Sequence, residues 1–145
     1  MATSYSDRVP TWFWVVAVVA LLWEAMGCYA YLTQVSMSAD QLAALPEGQR
    51  QLFSSMPDWV TAAYGIATWG GLLAAILLLM RRRWATTLFA ISLVALLVQF
   101  GWSFLIADAA AVVGPSAYGL PAFIIVAGVL LLWFSSWAAK RGWLR

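Results

Sequence analysis

The sequence predicts an all-α protein of the membrane: an antiparallel four-helix transmembrane bundle with short interfacial helices in its first outer loop. Three observations predict it. Of 145 residues, 64% are hydrophobic and only 10% are charged, against about 45–50% and about 25% in soluble domains, so polar surface is too scarce to cover a water-soluble fold. Four apolar runs reach the length of about 20 helical residues that crosses a hydrocarbon core. The eight basic residues gather at the ends of those runs, which makes the net charge of +2 a report of topology and not a sign of nucleic acid.

The runs place four spans at about 11–32, 59–80, 84–107 and 120–138, within a single transmembrane domain covering 1–145. Arg8 before the first run imitates a secretory signal. A signal core is only about 7–15 residues, however, so the longer run reads as a retained helix. The loop at 33–58 is the one long connection, and it carries structure of its own. Ser38 and Gln41 have capping-box spacing, and Pro46 followed by Glu47 suits the first turn of a second short helix. Leu42, Leu45, Leu52, Phe53 and Met56 give this loop an apolar side, which lies either on the membrane surface or over the mouth of the bundle. Pro57 and Asp58 start the second span with a fixed φ and an acid at the positive end of the helix. Arg81, Arg82 and Arg83 make a tight turn, so the second and third spans form an antiparallel hairpin. Val113-Gly114-Pro115-Ser116 reads as a short turn before the last span.

Once the spans are drawn, Arg8, Arg81 to Arg83, Lys140, Arg141 and Arg145 fall on one side and only Arg50 on the other. The positive-inside rule then puts both termini in the cytoplasm of a multi-pass protein of the plasma (inner) membrane. Asp40, Glu47, Asp58 and Asp108 face outward, with Asp7 inside. The aromatics suit two interfacial belts: Trp12, Trp14, Trp84, Trp133, Trp137 and Trp143 at the inner one, Tyr29, Tyr31, Trp59, Trp102 and Tyr118 at the outer. Trp23 and Trp69 lie near mid-depth and are not explained by a belt.

Helices in lipid associate through small residues that let backbones approach. Ala63, Ala67, Gly71 and Ala75 recur every fourth residue in the second span, which makes it the expected central helix. On that argument Gly71→Leu is expected to harm assembly while Leu78→Ala is mild. The last span is bulkier and suits lipid or a second subunit.

Glu24 is the one ionisable residue well inside a span. A charge there costs roughly 2.5–3.5 kcal/mol on insertion scales, so it must face protein or water, or be protonated. Ala17, Ala20, Gly27, Cys28 and Tyr31 share its helical face, which is narrow enough to fit another helix. Gln99 lies at the same level, since both residues sit roughly 4–5 Å to the outer side of their span midpoints. Ser92 and Ser103 share the face of Gln99, and Thr68 is at a similar height. Glu24, Gln99, Trp69, Trp23, Thr68, Ser103 and Tyr31 are therefore the candidate proton or solute site. The other reading of this cluster is a neutral Glu24 hydrogen-bonded to Gln99 as interhelical glue.

Soluble-type catalysis has no residues to stand on. There is no His and a single Cys, and no phosphate loop, paired acid or nucleophile elbow, so neither an enzyme, a metal site nor a cofactor is expected. Cys28 reads as a small buried apolar residue.

Several short motifs run through the chain: Leu22-Trp23-x-x-x-Gly27 with Tyr31 and Gln34, Leu45-Pro46-Glu47 to Phe53, Pro57-x-Trp59, and Trp69-Gly70-Gly71. They continue with Arg81 to Arg83, Ala85, Phe89, Ser92-Leu93, and the tail Ala139-Lys140-Arg141-Gly142-Trp143-Leu144-Arg145. Together they resemble a family of small bacterial four-span proteins often labelled sugar transporters, and the resemblance covers nearly the whole chain. Glu24 stands where that family's pattern leads one to expect Asn. A second, local likeness joins Glu24-Ala25-Met26-Gly27 and Ala127-Gly128-Val129-Leu130 to the small multidrug resistance transporters, which couple protons to export of cations through a first-helix glutamate. The long outer loop and strong charge bias depart from their plan, so that likeness is one of mechanism.

Two functions follow as expectations. One is a transporter-like homo-oligomer that moves a small polar or cationic solute through the lipid bilayer, a second copy being needed because four short helices scarcely enclose a pathway and its gates. The other is a non-transporting scaffold or accessory subunit that docks a partner through the outer loop or the last helix.

Overall fold

The computed structural model describes residues 9–145, so Asp7 and Arg8 lie outside the described residues. Four long helices carry the spans: α1 (Thr11–Val35), α4 (Asp58–Leu79), α5 (Trp84–Gly101) and α7 (Gly119–Lys140). All are apolar and long enough to cross a membrane, α5 with the segment that extends it to Ile106. Between α1 and α4 lie two short helices, α2 (Ala39–Ala43) and α3 (Glu47–Ser54). The capping box expected at Ser38 and Gln41 forms in both directions. Asp58 sits in the first turn of α4, after Pro57.

The long helices pack in the order α1, α4, α5, α7, and α4 lies between α1 and α5. Its small stripe makes this possible: Ala63, Ala67, Gly71 and Ala75 are all buried, as are Val60, Ala74 and Leu78. Side chains in adjacent helices also reach its backbone carbonyls. Cys28 Sγ donates to Thr68 O at 3.3 Å and ties α1 to α4. Ser92 Oγ donates to Ala67 O at 2.5 Å and ties α5 to it. In lipid such bonds stand in for a hydrophobic force that is missing between helices.

Two helices end side by side in the same motif. At the end of α4, Arg82 N–H reaches Leu77 O and Arg81 N–H reaches Leu78 O; at the end of α7, Trp143 N–H reaches Ala138 O and Gly142 N–H reaches Ala139 O. Both are Schellman turns with a left-handed residue, Gly142 at φ 78° and Arg81 at φ 57°. Arg81 lacks glycine's freedom there, a position that costs roughly 1–2 kcal/mol. Its side chain offsets this by donating Nε–H to Trp143 O at 2.7 Å. Arg83 N–H donates to Arg145 O at 2.9 Å and Arg145 N–H to Arg81 O at 2.6 Å, so the tail is laced to the tri-arginine turn.

This folding-back overturns part of the belt expectation. Trp143 and Leu144 are buried in the core with Phe13, Leu78 and Phe134. Trp12, Trp137 and Trp143 contact one another at ring-centre distances of 5.0–5.6 Å and close that end of the bundle. Trp102, expected at the outer belt, is also buried.

The connection to α7 is longer and more ordered than the turn the sequence suggests. The third span ends in a π-helical segment, Trp102–Ile106, where Ala107 N–H donates to Trp102 O at 2.9 Å. Asp108 then takes a left-handed conformation at φ 51°. Beyond it come α6 (Ala109–Val113) and a 3₁₀ turn, Pro115–Tyr118. Helix α3 packs on α6, with Gly48 pressed so close to the Val112 carbonyl that a Cβ would overlap it.

Candidate functional site

Between the four long helices lies a cavity of about 440 Å³. It is reached from every layer of the fold: Trp23, Glu24 and Gly27 come from α1, Thr68 and Tyr64 from α4, Gln99 and Ser103 from the third span, and Pro121 and Gly128 from α7. Leu52 and Phe53 of α3, with Met56 just beyond it, roof it. The apolar side of the outer loop thus lies over the bundle mouth, and Gln34 Nε2 approaches Met56 Sδ at 3.7 Å along the same rim.

Glu24 reaches this space across the stripe of α4. Ala17, Ala20 and Cys28 of its face are buried. Gly27 packs on Thr68, where a Cβ would sit 3.7 Å from Thr68 Cγ2. Gly71 makes room for the carboxyl itself, since a Cβ there would lie 2.6 Å from Glu24 Cδ. The stripe therefore does more than bring backbones together; at Gly71 it houses an acid. Among the described residues no Lys or Arg lines the cavity, and no group donates a hydrogen bond to the Glu24 carboxylate.

Gln99 is 8% exposed, and its Oε1 is buried without a hydrogen-bond partner. The bond from Gln99 to Glu24 that the glue reading requires is not made, although both side chains line the same cavity. The hydroxyls around them have already committed their protons to backbone carbonyls. Thr68 Oγ1 donates to Tyr64 O at 3.1 Å, or Gly65 O at 3.2 Å. Ser103 Oγ donates to Gln99 O at 3.1 Å. Ser92 donates to Ala67 O, as described above. Each of these oxygens can still accept, as can both carboxylate oxygens and Gln99 Oε1, while the donors left on the lining are the Trp23 indole N–H, the Gln99 amide, the Tyr64 hydroxyl and the Gln34 amide, which already approaches Met56 Sδ. The lining is rich in free acceptors and poor in free donors.

Two of the sequence candidates are not brought to the cavity. Trp69 is 45% exposed and faces outward. Tyr31 packs over Gly65 and lies edge-on to Tyr64 at 5.1 Å, beside the cavity and not on its wall. Trp23 does line it, with its ring 5.4 Å from that of Phe123. The contribution of α7, Leu120 to Gly128, escaped the sequence reading because an apolar residue facing a cavity has the same composition signal as one facing lipid. The π-helical segment beside Gln99 escaped it too, and no residue pattern marks it. Such segments occur often at functional sites.

Comparison of the chain with protein-family models, with curated proteins and with solved structures finds no match.

Proposed function

We propose that this is a transporter-like protein of the bacterial inner membrane, moving a small solute that donates hydrogen bonds or carries positive charge through the cavity between its four spans, with Glu24 as the proton or cation site. The observation that carries this reading is the imbalance of the lining. An acid near the membrane centre costs roughly 2.5–3.5 kcal/mol when charged, and with no Lys or Arg of the described residues in the cavity that cost is offset by a proton, by water or by a bound cation. An unpartnered buried carboxamide oxygen, that of Gln99 in the same cavity, asks for a donor as well. The resemblance to the four-span family belongs to the same proposal.

Orientation is part of it. Arg81, Arg82, Arg83, Lys140, Arg141 and Arg145 gather at the end closed by the aromatic cluster, so the positive-inside rule turns that floor to the cytoplasm and the α3 roof outward. All four long helices of one chain contribute to the site. A homo-oligomer is proposed for movement, because alternating access needs one body to rock against another.

Uptake of a panel of small amines and polyols into proteoliposomes under an imposed pH gradient tests the reading. Glu24→Gln is expected to abolish gradient-driven accumulation and to leave the melting temperature near that of the parent, since it conserves volume and hydrogen-bonding capacity. Equal accumulation by parent and variant would sink the assignment of Glu24.

A further inference from the structure

The cavity's walls are unequal. On α4 and α5 its lining is buried, as at Ala67, Thr68, Phe89 and Gln99. On α1 and α7 it comes to the surface: Met26 is 65% exposed and Leu120 67%. Backbone packing runs from α1 to α4, α5 and α7 in turn, and these two helices, the first and last of that series, do not pack closely on each other. Aromatic side chains close the seam between them. At the inner end the barrier is thick, with Phe13 stacked on Phe134 at 5.7 Å and Trp12 against Trp137. At the level of the cavity the pair at the seam is Trp23 and Phe123, and Phe123 is itself largely exposed. Above it, α3 covers the route from the outer aqueous side with Leu52 and Phe53.

We propose that the seam between α1 and α7 is a lateral portal, gated by the Trp23–Phe123 pair, through which the cavity takes an amphipathic amine from the lipid. This rests on the solute reading given above and names its substrate class. The apolar body suits walls such as Phe89, Leu93, Leu96 and Phe100, while the ammonium supplies the donors that Glu24 and Gln99 Oε1 lack. Two side chains can swing aside by rotamer changes alone, on a timescale far shorter than any helix movement. A hydrophilic cation would instead have to pass the apolar roof.

The test uses the full chain in nanodiscs with two labelled probes, dodecylamine dissolved in the bilayer and methylamine in the water. Dodecylamine is expected to bind the parent, and Glu24→Gln to weaken it at least tenfold. Because Trp23 lines the cavity, Trp23→Cys with Phe123→Cys on a Cys28→Ser background is compared only with itself, the association rate of its open form setting the reference. Once a reducible thiol-to-thiol linker bridges the pair, association should slow at least tenfold, and reduction should restore it. Phe123→Ala, which leaves the lining intact, should speed association at least threefold and serves if the double variant fails to fold. Bridged protein that binds as fast as open protein, or Phe123→Ala that binds at the parent rate, would overturn the portal and leave the cavity reading standing. Failure of both amines to bind the parent in a Glu24-dependent way would overturn the solute reading and the portal with it.

Discussion

Gly71→Ala separates what holds the bundle from what the site does. The added Cβ would lie 2.6 Å from Glu24 Cδ, whereas carbon atoms rest at about 3.5–4.0 Å, so the carboxyl must retreat by about 1 Å. It is the far end of a rotatable side chain beside a cavity, and an off-rotamer torsion costs about 0.5–1.5 kcal/mol. Ala in a helix interior regains about 0.5–1 kcal/mol over Gly. These two effects nearly cancel, and unfolding in detergent should move by no more than about 1 kcal/mol. Function should not escape, because the displaced carboxyl leaves the position from which it meets a ligand; gradient-driven uptake is expected to fall at least tenfold. The stability of Gly71→Ala with Glu24→Ala, set against the two single variants, isolates the contact, since a real clash appears as a coupling term between neighbours. Additive stabilities together with parental uptake would refute the claim that Gly71 houses the acid.

Leu78 is fully buried, which reverses the expectation of a mild Leu78→Ala: loss of its side chain leaves a cavity in the aromatic floor and should cost about 2 kcal/mol or more, read by thermal unfolding in detergent. Gly48→Ala should separate α3 from α6, because its Cβ meets the backbone of Val112 and not a flexible side chain; hydrogen exchange at residues 47–54 should rise while the long helices keep their protection. Single cysteines at Gln49 and Arg82, on a Cys28→Ser background, should be labelled by an impermeant reagent from outside and from inside respectively, and the reverse pattern would invert the proposed orientation.

The spans are legible from sequence because hydrocarbon imposes a length and forbids unpaired backbone groups, so an apolar run of the right extent has few alternatives. Lone aromatics near a basic tail are less legible. Trp143 reads as a belt residue by its neighbours in sequence, yet Gly142 turns the chain back and the tail finds Arg81 and Arg83 about sixty residues away. That outcome depends on the inner ends of α4 and α7 meeting, which no local pattern encodes. The segment after Gly101 is similar: alanines at 109 to 111 give no polar face by which a short helix could be told from a turn.

The site was half legible, and the half that was missed has a geometric cause. Depth along a span follows from counting residues, and it put Glu24, Gln99 and Thr68 at one level, with Ser103 on the face of Gln99 and Trp23 near mid-depth; all five line one cavity. Direction around the helix does not follow from depth. Successive residues differ by about 100°, so Thr68 faces inward while its neighbour Trp69 faces out. Level alone likewise suggested that Glu24 and Gln99 bond, whereas the helices that carry them stand on opposite flanks of α4 and leave Gln99 Oε1 unpartnered. Interhelical glue would have satisfied that oxygen. A buried acceptor without a donor costs about 1–3 kcal/mol, and Glu24, with no cationic side chain of the described residues in the cavity, adds to it. A fold that needed only adhesion at this depth would be better served by apolar residues in both places. Two uncompensated acceptors facing one cavity are instead what a binding site for a donor requires, since the ligand can then supply what the protein withholds.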